Sequence, residues 1–172
     1  MYEALLERRS VRKYKPEQIT EEQLDAVLKA GLYAPTAKNN QKPVMVAVRD
    51  KETRDLLSRI NAEIMDVETD PFYGAPCVIV VLADPEMPTW IDDGSLVLGN
   101  LMNAAHALGL GSVWLGTWPE MDRVANQKAL FGLPDHQIPH TLLAIGHPTK
   151  EQKERITEKP EWEEDRVHYE KW

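Results

Sequence analysis

The sequence predicts an α+β fold, with helices and strands layered around one core. Two helical stretches open the chain before any strand. The strands are few, and long helical segments separate them, an order unlike a regular βαβ array. Two strand candidates, 75–83 and 141–146, are runs of nearly continuous apolar residues, as strands in the middle of a sheet are.

Residues 2–9 read as a short helix. A longer one covers 20–33: Thr20 and Gln23 form a capping box, and Leu24, Val27, Leu28, Gly31 and Leu32 keep helical spacing until Pro35 ends it. "PVMVAV" at 43–48 is a strand candidate, 51–65 a helix and "APCVIVVLA" at 75–83 a central strand. The segment 94–108, "GSLVLGNLMNAAHAL", is apolar nearly all round, so its own fold or a partner chain must enclose it. "SVWLG" at 112–116 reads as a strand, 121–132 as a helix and 141–146 as the last strand. After Pro148 comes a charged tail ending in the more apolar "RVHYEKW", expected to pack on its own domain or on a partner subunit.

A chain of 172 residues suits one domain, expected to span 1–172. Its net charge of -8 argues against nucleic acid or an anionic membrane as a partner, since both need a broad basic face. No apolar run reaches the roughly 18–20 residues of a membrane span. A single cysteine, Cys77, cannot form an internal disulfide, and the start carries no apolar signal core, so the expected compartment is the cytoplasm.

Against that acidic balance, "ERRSVRKYKP" at 7–16 is conspicuous. If the helix continues, Arg8 and Arg12 lie four apart and Arg9 and Arg12 three apart, so their guanidinium groups can converge with the Ser10 hydroxyl beside them. Forked guanidinium groups suit a phosphate. The alternative is a solvated basic face pairing with Glu3 and Glu7.

The loop "APTAKNNQKP" at 34–43 is rich in amide and hydroxyl groups and suits the edge of a heteroaromatic ring, although an ordinary polar turn has the same composition. The glycines at 109, 111 and 116 do not make a dinucleotide fingerprint. Trp114 stands where the third glycine belongs, and the order is helix then strand. Gly109 or Gly111 is a candidate helix cap, and Gly116 a close backbone approach. The five histidines do not have zinc-ligand spacing, so no metal is expected. Cys77 is most simply a core residue, and Asp92 and Asp93 favour a helix start, where a carboxylate could also touch a ligand. No side chain is nominated as a catalytic acid or base.

Taken in order, "RRSVR", "APTAKNNQ", "LGNLMNAAHALGLGSVWLG", "LLAIGHP" and "HYEKW" resemble the nitroreductase family over most of the chain. The resemblance implies a mostly antiparallel central sheet flanked by helices, in an intertwined homodimer with FMN at the subunit interface. It implies phosphate and ribityl contacts from Arg8, Arg9, Ser10 and Arg12. From the other subunit it implies a loop of Pro35, Thr36, Ala37, Asn39 and Gln41, and at the ring the backbone of Leu115 and Gly116. A further basic phosphate contact is expected among Lys153, Arg155 and Lys159. Positions 40 and 42 depart from the family pattern, with Asn40 and Lys42 where apolar residues and proline are common.

The implied activity is ping-pong two-electron transfer from NADH or NADPH, through FMN, to a nitroaromatic, quinone or similar small aromatic acceptor. The alternatives are a specialised flavin enzyme, of dehalogenase or flavin-consuming type, and a flavin-binding sensor or storage protein without turnover. The long lid insertions of larger relatives are missing from this short sequence.

Overall fold

The computed structural model describes residues 2–155 and 167–169. Its helices are α1 (Tyr2–Glu7), α2 (Glu21–Leu32), α3 (Lys51–Met65), α4 (Trp90–Ala107), α5 (Met121–Phe131) and α6 (Lys150–Arg155). The strands are β1 (Val44–Val48), β2 (Cys77–Ala83), β3 (Gly111–Gly116) and β4 (Ile138–Gly146). They form one sheet in the order β1-β2-β4-β3, with every pair antiparallel.

The sheet lies between two helical layers, and β2 shows why its sequence is continuously apolar. Cys77, Ile79 and Val81 share a cluster with Leu24 and Val27 of α2 and Leu98, Leu101 and Ala105 of α4. The alternate residues Val78, Val80 and Leu82 cluster instead with Leu57 of α3 and Phe72. Burying each large side chain contributes about 1.5–3 kcal/mol relative to exposure, so a strand covered on both faces has no position for a polar residue. On the first face α2 crosses α4 at Gly31, where a Cβ would sit 2.8 Å from Leu101 Cδ2 and 2.8 Å from Met45 Sδ. The capping box at the start of α2 forms as expected: Gln23 N–H donates to Thr20 Oγ1 at 3.2 Å, and Thr20 N–H to Gln23 Oε1 at 3.0 Å.

Several expected boundaries differ, among them the start of β4, which lies three residues early at Ile138. The first helix stops at Glu7 rather than residue 9, because the chain then turns to the sheet edge: Val11 N–H donates to Ser112 O at 3.0 Å, and Ser10 bridges Ser112 in parallel. Helix α4 starts at Trp90, four residues early, so Asp92 and Asp93 stand in its first turn rather than before it. The charged tail contributes α6, whose start is held by Gln152 N–H donating to Thr149 Oγ1 at 3.2 Å. Beyond α6 the expected packing of the tail falls mostly outside the described residues. Gly109, not Gly111, ends α4: its φ is +73° and its N–H donates to His106 O at 2.9 Å. At Gly111 the neighbour is Val11, whose Cγ1 would lie 2.7 Å from a Cβ there. No described helix is long and apolar enough to cross a membrane.

Candidate functional site

Because the chain is extended after α1, the basic residues do not converge on a helical turn. Side chains alternate in extended backbone, so Val11 points inward, only 3% exposed, and its neighbours Ser10 and Arg12 point to solvent. Arg9 folds back onto the end of α1, with Nη1 donating to Leu6 O at 2.8 Å and Arg8 O at 2.8 Å. Half-buried Arg8 stands beside it. Arg12 is exposed; its N–H donates to Gln152 Oε1 at 3.0 Å, and its guanidinium carbon lies 5.9 Å from the centre of the Tyr73 ring.

Helix α6 brings one further cation to this segment. A cavity of about 240 Å³ is lined by Arg9, Val11, His106, Gly109, Pro148 and Lys153. Among the described residues, the tail candidate that lines this cavity with Arg9 is Lys153. The Arg155 side chain and Lys159 lie outside the described residues.

The loop 35–41 is built by its own hydrogen bonds. Ala37–Asn39 form a 3-10 turn, and Lys38, Asn39 and Gln41 adopt φ of 53°, 54° and 51°. Gln41 N–H donates to Thr36 Oγ1 at 3.0 Å, and Gln41 Nε2 to Asn39 Oδ1 at 3.3 Å. Asp93 anchors the loop from α4. Its Oδ1 accepts from Ala37 N–H at 2.9 Å, and its Oδ2 from Asn40 Nδ2 at 2.8 Å. The departure at position 40 thus has a structural purpose, because an apolar residue could not donate to the carboxylate. Pro35, Thr36, Asn39 and Gln41 line a concavity of about 690 Å³ with Tyr33 and Val97.

Leu115 and Gly116 end β3. A Cβ built on Gly116 meets nothing within 4 Å, and its φ is not positive, so neither packing nor backbone conformation in this chain requires glycine there. Arg123 Nη1 donates to Gly116 O at 2.8 Å and steadies that peptide. Leu115 and Gly116 also line a cavity of about 170 Å³ with Asn61, Phe72, Trp114 and Arg123.

Within one chain these residues form two groups. The arginine segment and the Leu115–Gly116 edge share β3, since Ser10 bridges Ser112. The 35–41 loop hangs from Asp93 at the other end of α4 from His106, thirteen residues along the helix. At 1.5 Å per residue the separation is roughly 20 Å.

The expectation that Cys77 is a core residue holds. Burial pushes the Cys77 thiol up to about 12, against the smaller opposing pull of Arg49, as befits an inert core residue. Sequence reasoning leaves the role of Asp93 open between helix start and ligand contact, and it passes over Arg123 and Tyr73. A signal for Asp93 exists: it lies one turn before Val97 and two before Leu101 on the buried face of α4, where a carboxylate needs donors.

An α+β fold with an arginine-bearing sheet edge and an amide-rich loop defines a protein suited to a phosphorylated heteroaromatic ligand. Residues 5–147 match the model of the nitroreductase family, and the chain belongs to that family. It is 34% identical over 170 residues to a chain of Archaeoglobus fulgidus provisionally named an NADH dehydrogenase/NAD(P)H nitroreductase, covering 96% of this chain and 94% of that one. A solved Clostridium acetobutylicum structure, provisionally named an NADH oxidase, superposes with a TM-score of 0.86 at 31% identity, covering 98% of this chain and 99% of that one. An FMN-dependent nitroreductase of Clostridium difficile superposes with a TM-score of 0.82 at 28% identity, with 100% of each chain covered.

Proposed function

We propose that this chain is an FMN-dependent oxidoreductase that takes reducing equivalents from NADH or NADPH and passes them to a nitroaromatic, quinone or similar small aromatic acceptor. The observation that carries the reading is the convergence of Arg9 and Lys153 on one cavity in a protein of net charge -8. Two cations gathered locally on an acidic chain suit a single phosphate group.

The remaining residues fit the rest of FMN. Open space at Gly116 leaves room for a flat ring to approach the strand, and the loop presents the amide groups of Asn39 and Gln41 to a ring edge. When bound, FMN supplies the two-electron chemistry, alternating between reductant and acceptor in ping-pong order. Arg8, Arg9, Ser10, Arg12 and Lys153 hold the phosphate and ribityl chain, while Arg123 fixes the Gly116 peptide. Leu115 and Gly116 offer backbone to the ring. Pro35, Thr36, Ala37, Asn39 and Gln41 close the site from a second copy of the chain.

The separation along α4 supports a second copy in the site. One chain leaves the loop far from its own arginine segment, while helix α1 buries none of its residues and Tyr2 is 72% exposed. On α4, Leu96 is 46% exposed and Gly99 has open space before it. A partner helix laid there would cover the apolar surface and bring its loop to this chain's arginines. The whole of 1–172 then acts as one domain in each subunit.

The test is the visible spectrum of freshly purified protein, with identification of the chromophore released on denaturation. FMN at one per chain, together with NAD(P)H turnover on a quinone, is the expected result. A colourless protein that FMN cannot reconstitute overturns the reading, and bound FMN without turnover leaves a flavin-binding protein instead of a reductase.

A further inference from the structure

The turn after α3 carries a tyrosine that folding alone does not explain. Tyr73 has φ of +57°, a conformation that crowds the Cβ of a bulky residue, and its side chain remains 39% exposed. Neither backbone preference nor burial selects tyrosine there.

The turn is nevertheless held firmly. Asp70 Oδ1 accepts from Ser58 Oγ at 2.7 Å and from Phe72 N–H at 2.9 Å. Its Oδ2 accepts from Gly74 N–H at 2.7 Å and from Arg54 Nη2. Buried Arg54 also donates from Nε to Ala75 O at 2.9 Å, and its guanidinium lies over the Phe72 ring at 5.4 Å. Phe72 is thereby locked into the core and Tyr73 turned outward. The outward ring meets Arg12, whose guanidinium carbon lies 5.9 Å from the ring centre. Strained residues over-determined by their surroundings concentrate where ligands bind.

We propose that Tyr73 is a positioning residue for the phosphate end of the cofactor site: its ring seats the Arg12 guanidinium so that the charge is already aimed when the ligand arrives. A long side chain held in place loses less freedom on binding, and a cation over an aromatic face is attracted to it. The inference rests on the reading of Arg12 as a contact of the FMN phosphate.

The experiment titrates FMN, and separately riboflavin, into the flavin-stripped full chain and follows flavin fluorescence. Riboflavin lacks the phosphate, so it reports on everything except that contact. Tyr73→Asn removes the ring but tolerates the left-handed backbone; Tyr73→Phe keeps the ring. Tyr73→Asn is expected to raise the Kd for FMN about two- to fivefold and to leave riboflavin unchanged, while Tyr73→Phe matches wild type for both. In an Arg12→Gln background, Tyr73→Asn should add nothing.

Equal losses for FMN and riboflavin overturn the phosphate placement of Arg12, and an unchanged FMN Kd in Tyr73→Asn beside a weakened Arg12→Gln overturns the role of Tyr73. An Arg12→Gln chain that binds FMN as wild type does overturns the underlying reading of Arg12. Should Tyr73→Asn fail to fold, Tyr73→Gly accepts the same backbone conformation and carries the same comparison.

Discussion

Ala37 N–H donates to Asp93 Oδ1 at 2.9 Å, which ties the loop after α2 to the first turn of α4. Asp93 is 3% exposed, and its other carboxylate oxygen takes the Asn40 amide at 2.8 Å. Asp93→Ala removes both acceptor oxygens and leaves three donors, the Thr89 hydroxyl among them, to find other partners, a loss of about 2–4 kcal/mol in stability. Urea unfolding should show that loss, and FMN should bind more weakly as the loop loosens. Wild-type stability in this variant would mean that the loop holds its shape without α4.

The cation segment makes a prediction about affinity. Arg12→Ala should weaken FMN binding by about 1.5–3 kcal/mol, the range for a hydrogen bond to a charged group. The apo chain should unfold as wild type does, because the Arg12 side chain is exposed. Unchanged flavin retention removes Arg12 from the site.

Gly116 separates a ligand role from a packing role. A methyl group there meets nothing within 4 Å, so Gly116→Ala should leave the apo chain as stable as wild type, or up to about 1 kcal/mol more stable through the unfolded state. FMN affinity should fall, since the added carbon occupies space assigned to the ring. Calorimetry of the apo chain beside a flavin titration reads both. Wild-type flavin affinity in Gly116→Ala would place the ring elsewhere.

The pH dependence has a definite sign. Burial lowers the pKa of His140 below its ordinary 6.5. The ring packs edge-on to Trp90 and its Nε2 lies 3.2 Å from Ser95 Oγ. Unfolding therefore takes up a proton below about pH 6.5, and stability that is fully present above that value falls as the pH drops toward the folded-state pKa. The slope is at most about 1.4 kcal/mol per pH unit. At Asp70, burial pushes upward, but hydrogen bonds from Ser58, Arg54, Phe72 and Gly74 outweigh it and hold the carboxylate below its ordinary value. Its contribution is lost only in stronger acid. Unfolding of wild type and His140→Gln from pH 7.5 to 5 should show a shallower slope in the variant; equal slopes would assign the acid sensitivity to other groups.

The proposed subunit contact is testable at the middle of α4. Gly99 has open space before it, so Gly99→Glu costs its own chain little packing but puts a charge where a partner helix would lie. Light scattering should find wild type as a dimer and the variant as monomer or misassembled chain, with loss of bound FMN. A flavin-loaded Gly99→Glu dimer would move the interface to another surface.

The elements legible from periodicity alone are those whose side chains face one environment along their length. β2 is apolar at every position because both of its faces are covered, and α2 carries its start signal in Thr20 and Gln23, so local chemistry suffices for each. The α+β class and the extent of α3 follow in the same way. The first helix is two residues shorter than its pattern suggests because its end depends on Ser112, a partner remote in the sequence that offers sheet hydrogen bonds to the segment around Ser10.

The site divides along the same line. The resemblance to the nitroreductase family nominates Arg8, Arg9, Ser10, Arg12 and the 35–41 loop; their guanidinium and amide groups suit a phosphate and a ring edge, but the same composition also makes a solvated face and an ordinary turn. That Lys153 lines a cavity with Arg9, what Asp93 holds, and why Tyr73 meets Arg12 depend on contacts between elements remote in sequence. Those pairings are chosen when the helices bury their apolar faces against the sheet. Burial is set by the whole chain at once, and no local pattern carries it.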